Sequence, residues 1–168
     1  MKTKNIIRAV LMCIILVATT ANATLKIKMQ LLDSSGRSIG TVRADDTIYG
    51  LLLTPKLHGL KPGLHGFHIH ECPLCIDGAK LAGGHLDLSD ARQHRGPYEG
   101  NSHSGDLPVL IVAADGKATM PILAPRLKLS QIVGRSLIIQ ADGDSFSDTP
   151  IINGGGGARI ACGEIPYH

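Results

Sequence analysis

Two histidines, His68 and His70, stand two positions apart in a stretch that alternates in polarity. In a β-strand, residues i and i+2 point to the same face, so the two imidazoles project together while Phe67 and Ile69 project into an apolar layer. Imidazole is a good ligand for zinc and copper. Taken alone, a His-x-His pair is a weak indication of a metal site, because most such pairs are incidental.

A second group of possible ligands follows this strand. It consists of three histidines and one carboxylate, namely His85, His94, His103 and Asp106. Three imidazoles and a carboxylate can close a tetrahedral zinc site, which would stabilise a loop with little apolar core of its own. Of the eight histidines in the chain, six fall between His65 and His103. This clustering argues against chance, although His65 lies off the face shared by His68 and His70 and is interpreted as structural.

The segments that must position these residues have the period-two polarity of half-buried strands. Candidate strands occupy residues 25–31, 47–57, 64–70, 107–112, 118–123, 135–140 and 159–165. No segment of ten or more residues carries a helical stripe, and the 20 glycines and nine prolines indicate many turns. The pattern predicts an all-β antiparallel sandwich or barrel of about eight strands.

Two long stretches lack the strand pattern, one from Glu71 to about Gly105 and the other from Ala141 to Gly157. Loops of this length in a compact domain are usually functional or disordered. The first contains the second ligand group, so we expect a metal to order it. The glycine run 154–157 indicates flexible backbone, and no Gly-Lys-Ser/Thr follows it to suggest a phosphate loop.

The N-terminus has the composition of an export signal. Lys2, Lys4 and Arg8 precede the apolar run 9–18, and Ala21-Asn22-Ala23 is a small-x-small cleavage site. The run is too short to anchor the chain across a membrane. Cys13 allows a lipoprotein, but the Met before it is a poor residue for lipoprotein processing. We therefore expect a signal peptide at 1–23, an exported, periplasmic protein and one mature domain at 24–168.

Charge and length limit the possible functions. The 168 residues suffice for one domain, and 18% charged residues exclude a disordered, highly charged chain. Removal of 1–23 leaves 14 basic and 14 acidic residues. Nothing then suggests binding to nucleic acid or to an acidic membrane surface.

Three cysteines remain in the mature chain, Cys72, Cys75 and Cys162. In an oxidising compartment, one disulfide and one free thiol are the simplest expectation. Cys72-x-x-Cys75 could instead be a redox or zinc pair, but no second CxxC is present. A long-range disulfide to Cys162 is favoured.

The sequence resembles the copper/zinc superoxide dismutase family. The segment 63–71, GLHGFHIHE, is similar to the copper-ligand strand of that family. The family's bridging, zinc-ligand and C-terminal segments are matched by GGH at 83–85, QHRGP at 93–97, HSGDL at 103–107 and GGGGARIACG at 154–163. LAPRL at 123–127 and the export signal favour the bacterial periplasmic branch. The matches follow the family's order through most of the mature chain.

The resemblance implies an eight-stranded Greek-key β-barrel that binds copper and zinc and dismutes superoxide to oxygen and hydrogen peroxide. Copper would be bound by His68, His70 and His85, with His85 bridging to a zinc ion held also by His94, His103 and Asp106. Asp144 would orient a copper ligand and a zinc ligand, and Arg159 would attract the superoxide anion. Cys75 and Cys162 would form the internal disulfide. The mature protein would be a monomer or homodimer that acts on a small-molecule substrate, without a nucleic-acid or membrane partner.

One position departs from the family pattern. The family's fourth copper ligand is a histidine on the strand that enters the second long loop, where this chain has Gln140. Three functions follow as alternatives. The chain is a superoxide dismutase with a weakened copper centre, a catalytically impaired, zinc-stabilised relative that binds or passes on copper, or an exported interaction module with structural zinc only.

Overall fold

Nine short strands carry almost all the regular structure of residues 26–167, the part of the chain that this computed structural model describes. The predicted signal peptide lies outside the described residues. The strands are β1 Lys26–Asp33, β2 Ser38–Thr47, β3 Gly50–Leu57, β4 Gly63–His65, β5 Phe67–His70, β6 Leu110–Val112, β7 Ile122–Ala124, β8 Ser136–Gln140 and β9 Arg159–Glu164. The helical segments found among these residues are α1, Leu129–Ile132, and 3-10 turns at Lys80–Ala82 and Ile152–Gly155.

The strands form a curled antiparallel sheet. Seven of them pair in the order β5-β8-β9-β1-β2-β3-β7, and β4 pairs separately with β6. In β1, Ile27, Met29 and Leu31 are buried while Lys28 and Gln30 between them are exposed, which is the alternation expected of a strand with one face on the core. The core is aliphatic apart from Phe67, and the predicted all-β Greek-key barrel is confirmed.

Two differences from the sequence prediction change the number of strands. The predicted strand 64–70 is interrupted at Gly66, whose N–H donates to the Asp142 carbonyl instead of continuing a ladder. Strand β2 was not predicted, because its burial is irregular and Arg43, Asp45 and Asp46 interrupt the apolar pattern. These differences bring the observed number of strands to nine.

Both long connections are where the sequence places them. One joins β5 to β6 over residues 71–109, and the other joins β8 to β9 over 141–158. The disulfide Cys75–Cys162 ties the first loop to β9, which confirms the predicted pairing, and Cys72 is a free thiol. No helix within residues 26–167 is long and apolar enough to cross a membrane.

Candidate metal centre

Strand β5 brings the first two histidines into a buried cleft under the first long loop. His68 and His70 are fully buried, and the isolated bridges His68–Asp106 and His70–His85 show that the loop folds back along this strand. Phe67 and Ile69 belong to the hydrophobic core. The alternation of β5 therefore separates ligands from core, as the sequence indicates.

Each histidine of β5 has one ring nitrogen engaged and one free. His68 Nε2 lies 2.8 Å from Asp144 Oδ2, and His70 Nδ1 donates to the Gly83 carbonyl at 3.0 Å. The carboxylate and the carbonyl are acceptors, so these nitrogens carry the ring protons. His68 Nδ1 and His70 Nε2 are buried with no hydrogen-bond partner. Two lone pairs without partners in a dry cleft are a donor set that fits copper.

His85 stands between these two histidines and the second ligand group. Its ring stacks on His68 with centroids 3.9 Å apart and meets the His70 ring edge-on at 5.0 Å. Its Nδ1 lies 3.0 Å from Asp106 Oδ1. One ring nitrogen thus belongs to the Asp106 cluster and the other, Nε2, remains for the β5 side, which is the geometry of a bridging ligand.

The Asp106 cluster has the dimensions of a zinc site. Asp106 Oδ1 lies 3.0 Å from the Nδ1 atoms of His85 and His94 and 3.5 Å from Nδ1 of His103. A tetrahedral zinc ion with bonds near 2.0–2.1 Å separates its ligand atoms by about 3.3 Å. The Nδ1 atoms of His94 and His103 are buried without a hydrogen-bond partner. Lone pairs packed this closely repel unless a proton or a cation lies between them, so the donor set fits zinc.

The two clusters are adjacent. Ligand atoms offered by His68, His85, His94 and Asp106 all lie within 4.8 Å of one another. This foursome combines members of the proposed copper and zinc sets rather than reproducing either one. His68 and His94 both direct Nε2 to Asp144. The other nitrogen of each ring, Nδ1, points away from Asp144, and this separates the two ligand sets.

Burial and neighbouring charges set the ionisation of the site. Burial, together with the neighbouring His85, lowers the pKa of His70 to about 2, and burial lowers that of His85 to about 4. Burial also opposes charge on His94, but the neighbouring carboxylates of Asp106 and Asp144 outweigh it and raise the pKa of His94 to about 9. Despite burial, neighbouring histidines hold the carboxyl pKa values of Asp106 and Asp144 below their usual range. Metals bind ionised carboxylates and neutral imidazoles. The carboxylates and the rings of His70 and His85 are already in these forms, whereas a metal must displace a proton from His94.

Asp144 links the two clusters directly. Its Oδ2 lies 2.8 Å from His68 Nε2, and its Oδ1 lies 2.7 Å from His94 Nε2. A Cβ placed on Gly154 would overlap Oδ1, and one on Gly156 would overlap Oε1 of Gln140. The glycine run therefore permits close packing of backbone over the site, and this explains it better than the flexibility that the sequence suggests.

Arg159 lies across the β8–β9 ladder from Gln140. Its half-buried guanidinium donates to the carbonyls of Ala79 at 2.5 Å and Gly83 at 2.7 Å. Burial lowers the pKa of Arg159 from its usual value. Because Gly83 also accepts from His70 Nδ1, one carbonyl group fixes both the cation and a histidine of the cleft.

Gln140 is buried, and its Oε1 has no hydrogen-bond partner. A Cβ on Gly66 would overlap this oxygen and lie 3.1 Å from Cε1 of His68, so the amide and the ring are near neighbours. The sequence contains no histidine between residues 141 and 157. Gln140 therefore brings an amide to the cleft beside His68.

Two residues of the site were not found from the sequence. Ser102 donates its hydroxyl to Asp106 Oδ2 at 2.7 Å and accepts the Arg95 N–H at 2.7 Å. Its position, next to His103 and four residues before Asp106, was the available signal. Arg126 contacts only backbone carbonyls of the first loop, and only its place in the LAPRL motif drew attention to it. His65 contacts the carbonyls of Lys61 and Gln140 and takes no part in either cluster.

The chain is similar in sequence and fold to proteins named copper/zinc superoxide dismutases. The family model described as copper/zinc superoxide dismutase (SODC) matches residues 38–165. The chain is 49% identical over 156 residues to superoxide dismutase [Cu-Zn] 1 of Salmonella typhimurium (strain 4/74), covering 86% of this chain and 88% of that protein. It is 46% identical over 159 residues to superoxide dismutase [Cu-Zn] of Haemophilus parainfluenzae, covering 88% and 85%. The solved Cu/Zn superoxide dismutase from Brucella abortus superposes with a TM-score of 0.79 at 42% identity, covering 84% and 99%.

Proposed function

The chain belongs to the copper/zinc superoxide dismutase family and dismutes superoxide to oxygen and hydrogen peroxide, and we propose which of its residues do so. Copper is bound by His68, His70 and His85. Zinc is bound by His85, His94, His103 and Asp106. Asp144 orients a ligand of each metal, and Arg159 attracts the substrate anion.

The observation that carries these assignments is the set of buried ring nitrogens without hydrogen-bond partners. His68 Nδ1 and His70 Nε2 are free on the β5 side, and the Nδ1 atoms of His94 and His103 are free around Asp106. A buried polar atom without a partner is costly and calls for an explanation. Two cations separated by the His85 ring supply it.

The residues of the cleft then divide the work. Copper, when bound, would supply the one-electron oxidation and reduction of successive superoxide anions. His85 has Nδ1 committed to the Asp106 cluster, so its Nε2 is the atom that can hold a proton and deliver it to the peroxide product. Arg159 supplies a fixed positive charge at the cleft, which raises the local concentration of the anion although the mature chain has no net charge.

Gln140 weakens the copper centre relative to the family pattern. An amide oxygen is a harder and poorer ligand for copper than an imidazole nitrogen. The site therefore offers three imidazoles to the oxidised ion, and two, His68 and His70, once His85 has been protonated. We expect lower copper affinity and slower reoxidation, while the zinc ligands are unaffected.

A second function is favoured by the same residue. If three imidazoles retain copper but turnover is negligible, the chain is a zinc-stabilised protein that binds or passes on copper. Its copper site would bind without cycling, because the reduced form would be favoured. Asp144 and Arg159 support the enzyme over this alternative and over a module with structural zinc only, since neither alternative needs both of them.

For the whole protein we propose export and removal of residues 1–23, which leaves a periplasmic domain at 24–168. This proposal is supported by the N-terminal sequence and by the bacterial origin of the relatives. The mature domain would act as a monomer or homodimer, with no nucleic-acid or membrane partner. The mass of the protein in the periplasmic fraction, with its sedimentation coefficient, tests cleavage and oligomeric state together.

The activity is tested by loading the purified, zinc-bound protein with one equivalent of copper and measuring superoxide dismutation. Copper-dependent turnover supports the enzyme with its weakened centre. Stoichiometric copper binding without turnover supports the copper-binding relative. Failure to bind copper at all would support the third alternative, an interaction module with structural zinc only. His70→Ala is the control variant, because it removes a proposed copper ligand and leaves the four zinc ligands in place.

A further inference from the structure

Arg126 extends from the turn after β7 into the first long loop. Its guanidinium donates to four backbone carbonyls there: Ser102 at 2.7 Å, His103 at 3.1 Å, Gly96 at 3.5 Å and Glu99 at close range. The side chain is half-buried, and the neighbouring Leu127 is part of the core. The loop is therefore connected to the barrel at a second segment, residues 96–103, besides its disulfide at Cys75.

The contacts use the geometry that is specific to arginine. A guanidinium has five N–H donors in a rigid fork, whereas a lysine ammonium is a compact point charge. Within residues 26–167, Arg126 makes no ion pair with a carboxylate at 4.0 Å or less. Its donors are directed to carbonyls alone, and hydrogen bonds from a charged donor are the stronger kind.

Two of the four carbonyls belong to residues of the proposed zinc cluster, Ser102 and His103. His103 is itself a proposed ligand, and the Ser102 hydroxyl donates to Asp106 Oδ2. The same hydroxyl accepts the Arg95 N–H. A guanidinium that fixes the backbone at 102 and 103 therefore sets the positions of one imidazole and one carboxylate of the cluster.

We propose that Arg126 is a positioning residue for the zinc centre: it clamps the backbone of the first loop so that His103 and Asp106 are held in ligating geometry before the metal arrives. This inference rests on the zinc ligand set proposed above. It assigns a role to the LAPRL motif, which the proposed chemistry of the two metals does not otherwise use.

The test compares zinc affinity among three variants of the full mature protein. Arg126→Gln removes the charge and the fork, Arg126→Lys keeps the charge and the stem but loses the fork, and Arg92→Gln is the matched control. Arg92 lies in the same loop, is exposed, and pairs its side chain only with Asp90. Zinc affinity is measured by competition with a chromophoric chelator, and the unfolding midpoint of each metal-free variant is measured in urea.

We expect Arg126→Gln to lower zinc affinity about 10- to 100-fold, the range for losing an outer partner of a metal ligand. Arg126→Lys should recover only part of this, and Arg92→Gln should leave the affinity unchanged. The urea midpoint of the metal-free protein should change little in Arg126→Gln. A merely structural contribution of Arg126 would instead lower this midpoint together with the zinc affinity. Hydrogen exchange of the metal-free protein should rise at 96–106 in the Gln and Lys variants.

Three results would overturn the inference. They are wild-type zinc affinity in Arg126→Gln, full recovery in Arg126→Lys, and an equal loss in Arg92→Gln. If Arg126→Gln does not fold, Arg126→Lys still decides the question. A wild-type protein that binds no zinc would instead contradict the proposed ligand set, so the two failures are distinguishable.

Discussion

Asp144 shows how one side chain sets the chemistry of its neighbours. By accepting from Nε2 of both His68 and His94, it fixes both tautomers and directs both Nδ1 lone pairs to the metal positions. An asparagine at this position would have only one side-chain oxygen, so it would lack the second acceptor that the carboxylate offers. The carboxylate thus couples a proposed copper ligand to a proposed zinc ligand.

At position 140, substitution of Gln140 by histidine is expected to strengthen copper binding and raise dismutase activity. The oxidised ion would gain a fourth nitrogen, and the reduced ion would keep three ligands when His85 is protonated. The side chains are similar in size, so the packing cost should be modest. We expect roughly tenfold or more tighter copper binding, the effect of about 1.4 kcal/mol or more, measured by competition with a chelator.

Gln140→Leu is the control for this experiment, since it removes the amide without adding a nitrogen. It should bind copper no more tightly than the wild type. If the fully copper-loaded wild type already matches Gln140→His in turnover, another group completes the copper site and this account of Gln140 is incorrect.

Parity along the strand predicted that His68 and His70 share a face of β5, but it did not predict their distant partners. His68 and Asp144 are 76 residues apart, so Asp144 was assigned only from the family resemblance. Ser102 and Arg126 were missed because they act on a carboxylate already in use and on backbone carbonyls, which leave no side-chain pattern in a sequence. Strand β2 was missed because its charged residues conceal its alternation.

Among the structural elements, the first long loop depends most on the metal. Its regular structure is limited to the short turn Lys80–Ala82, and its ligands enclose the Asp106 cluster. Removing zinc should therefore raise hydrogen exchange at residues 71–106 well before the barrel unfolds, because that segment has few buried apolar contacts. Hydrogen exchange with and without a chelator measures this effect, with strands β1 and β2 as the internal reference. Unchanged exchange in the loop would contradict the zinc assignment.

At the scale of the whole molecule, the disulfide joins residues separated by 87 positions. Closing a loop of this length restricts the unfolded chain and is expected to contribute about 2–4 kcal/mol. The double variant Cys75→Ser/Cys162→Ser should lose about this much free energy of unfolding in urea, measured on metal-free protein. Cys72→Ser should stay within about 0.5 kcal/mol of the wild type. Equal losses in both variants would contradict this expectation, because the loss would then not be specific to the cross-link.

The central claim is that copper is bound by three imidazoles, with Gln140 where the family has a fourth. Electron paramagnetic resonance of the Cu(II), zinc-loaded protein tests it most directly, because nitrogen hyperfine couplings report the number of imidazole ligands. The account predicts three coupled nitrogens in the wild type, four in Gln140→His and two in His70→Ala. Four coupled nitrogens in the wild type, or the same number in wild type and His70→Ala, would contradict it.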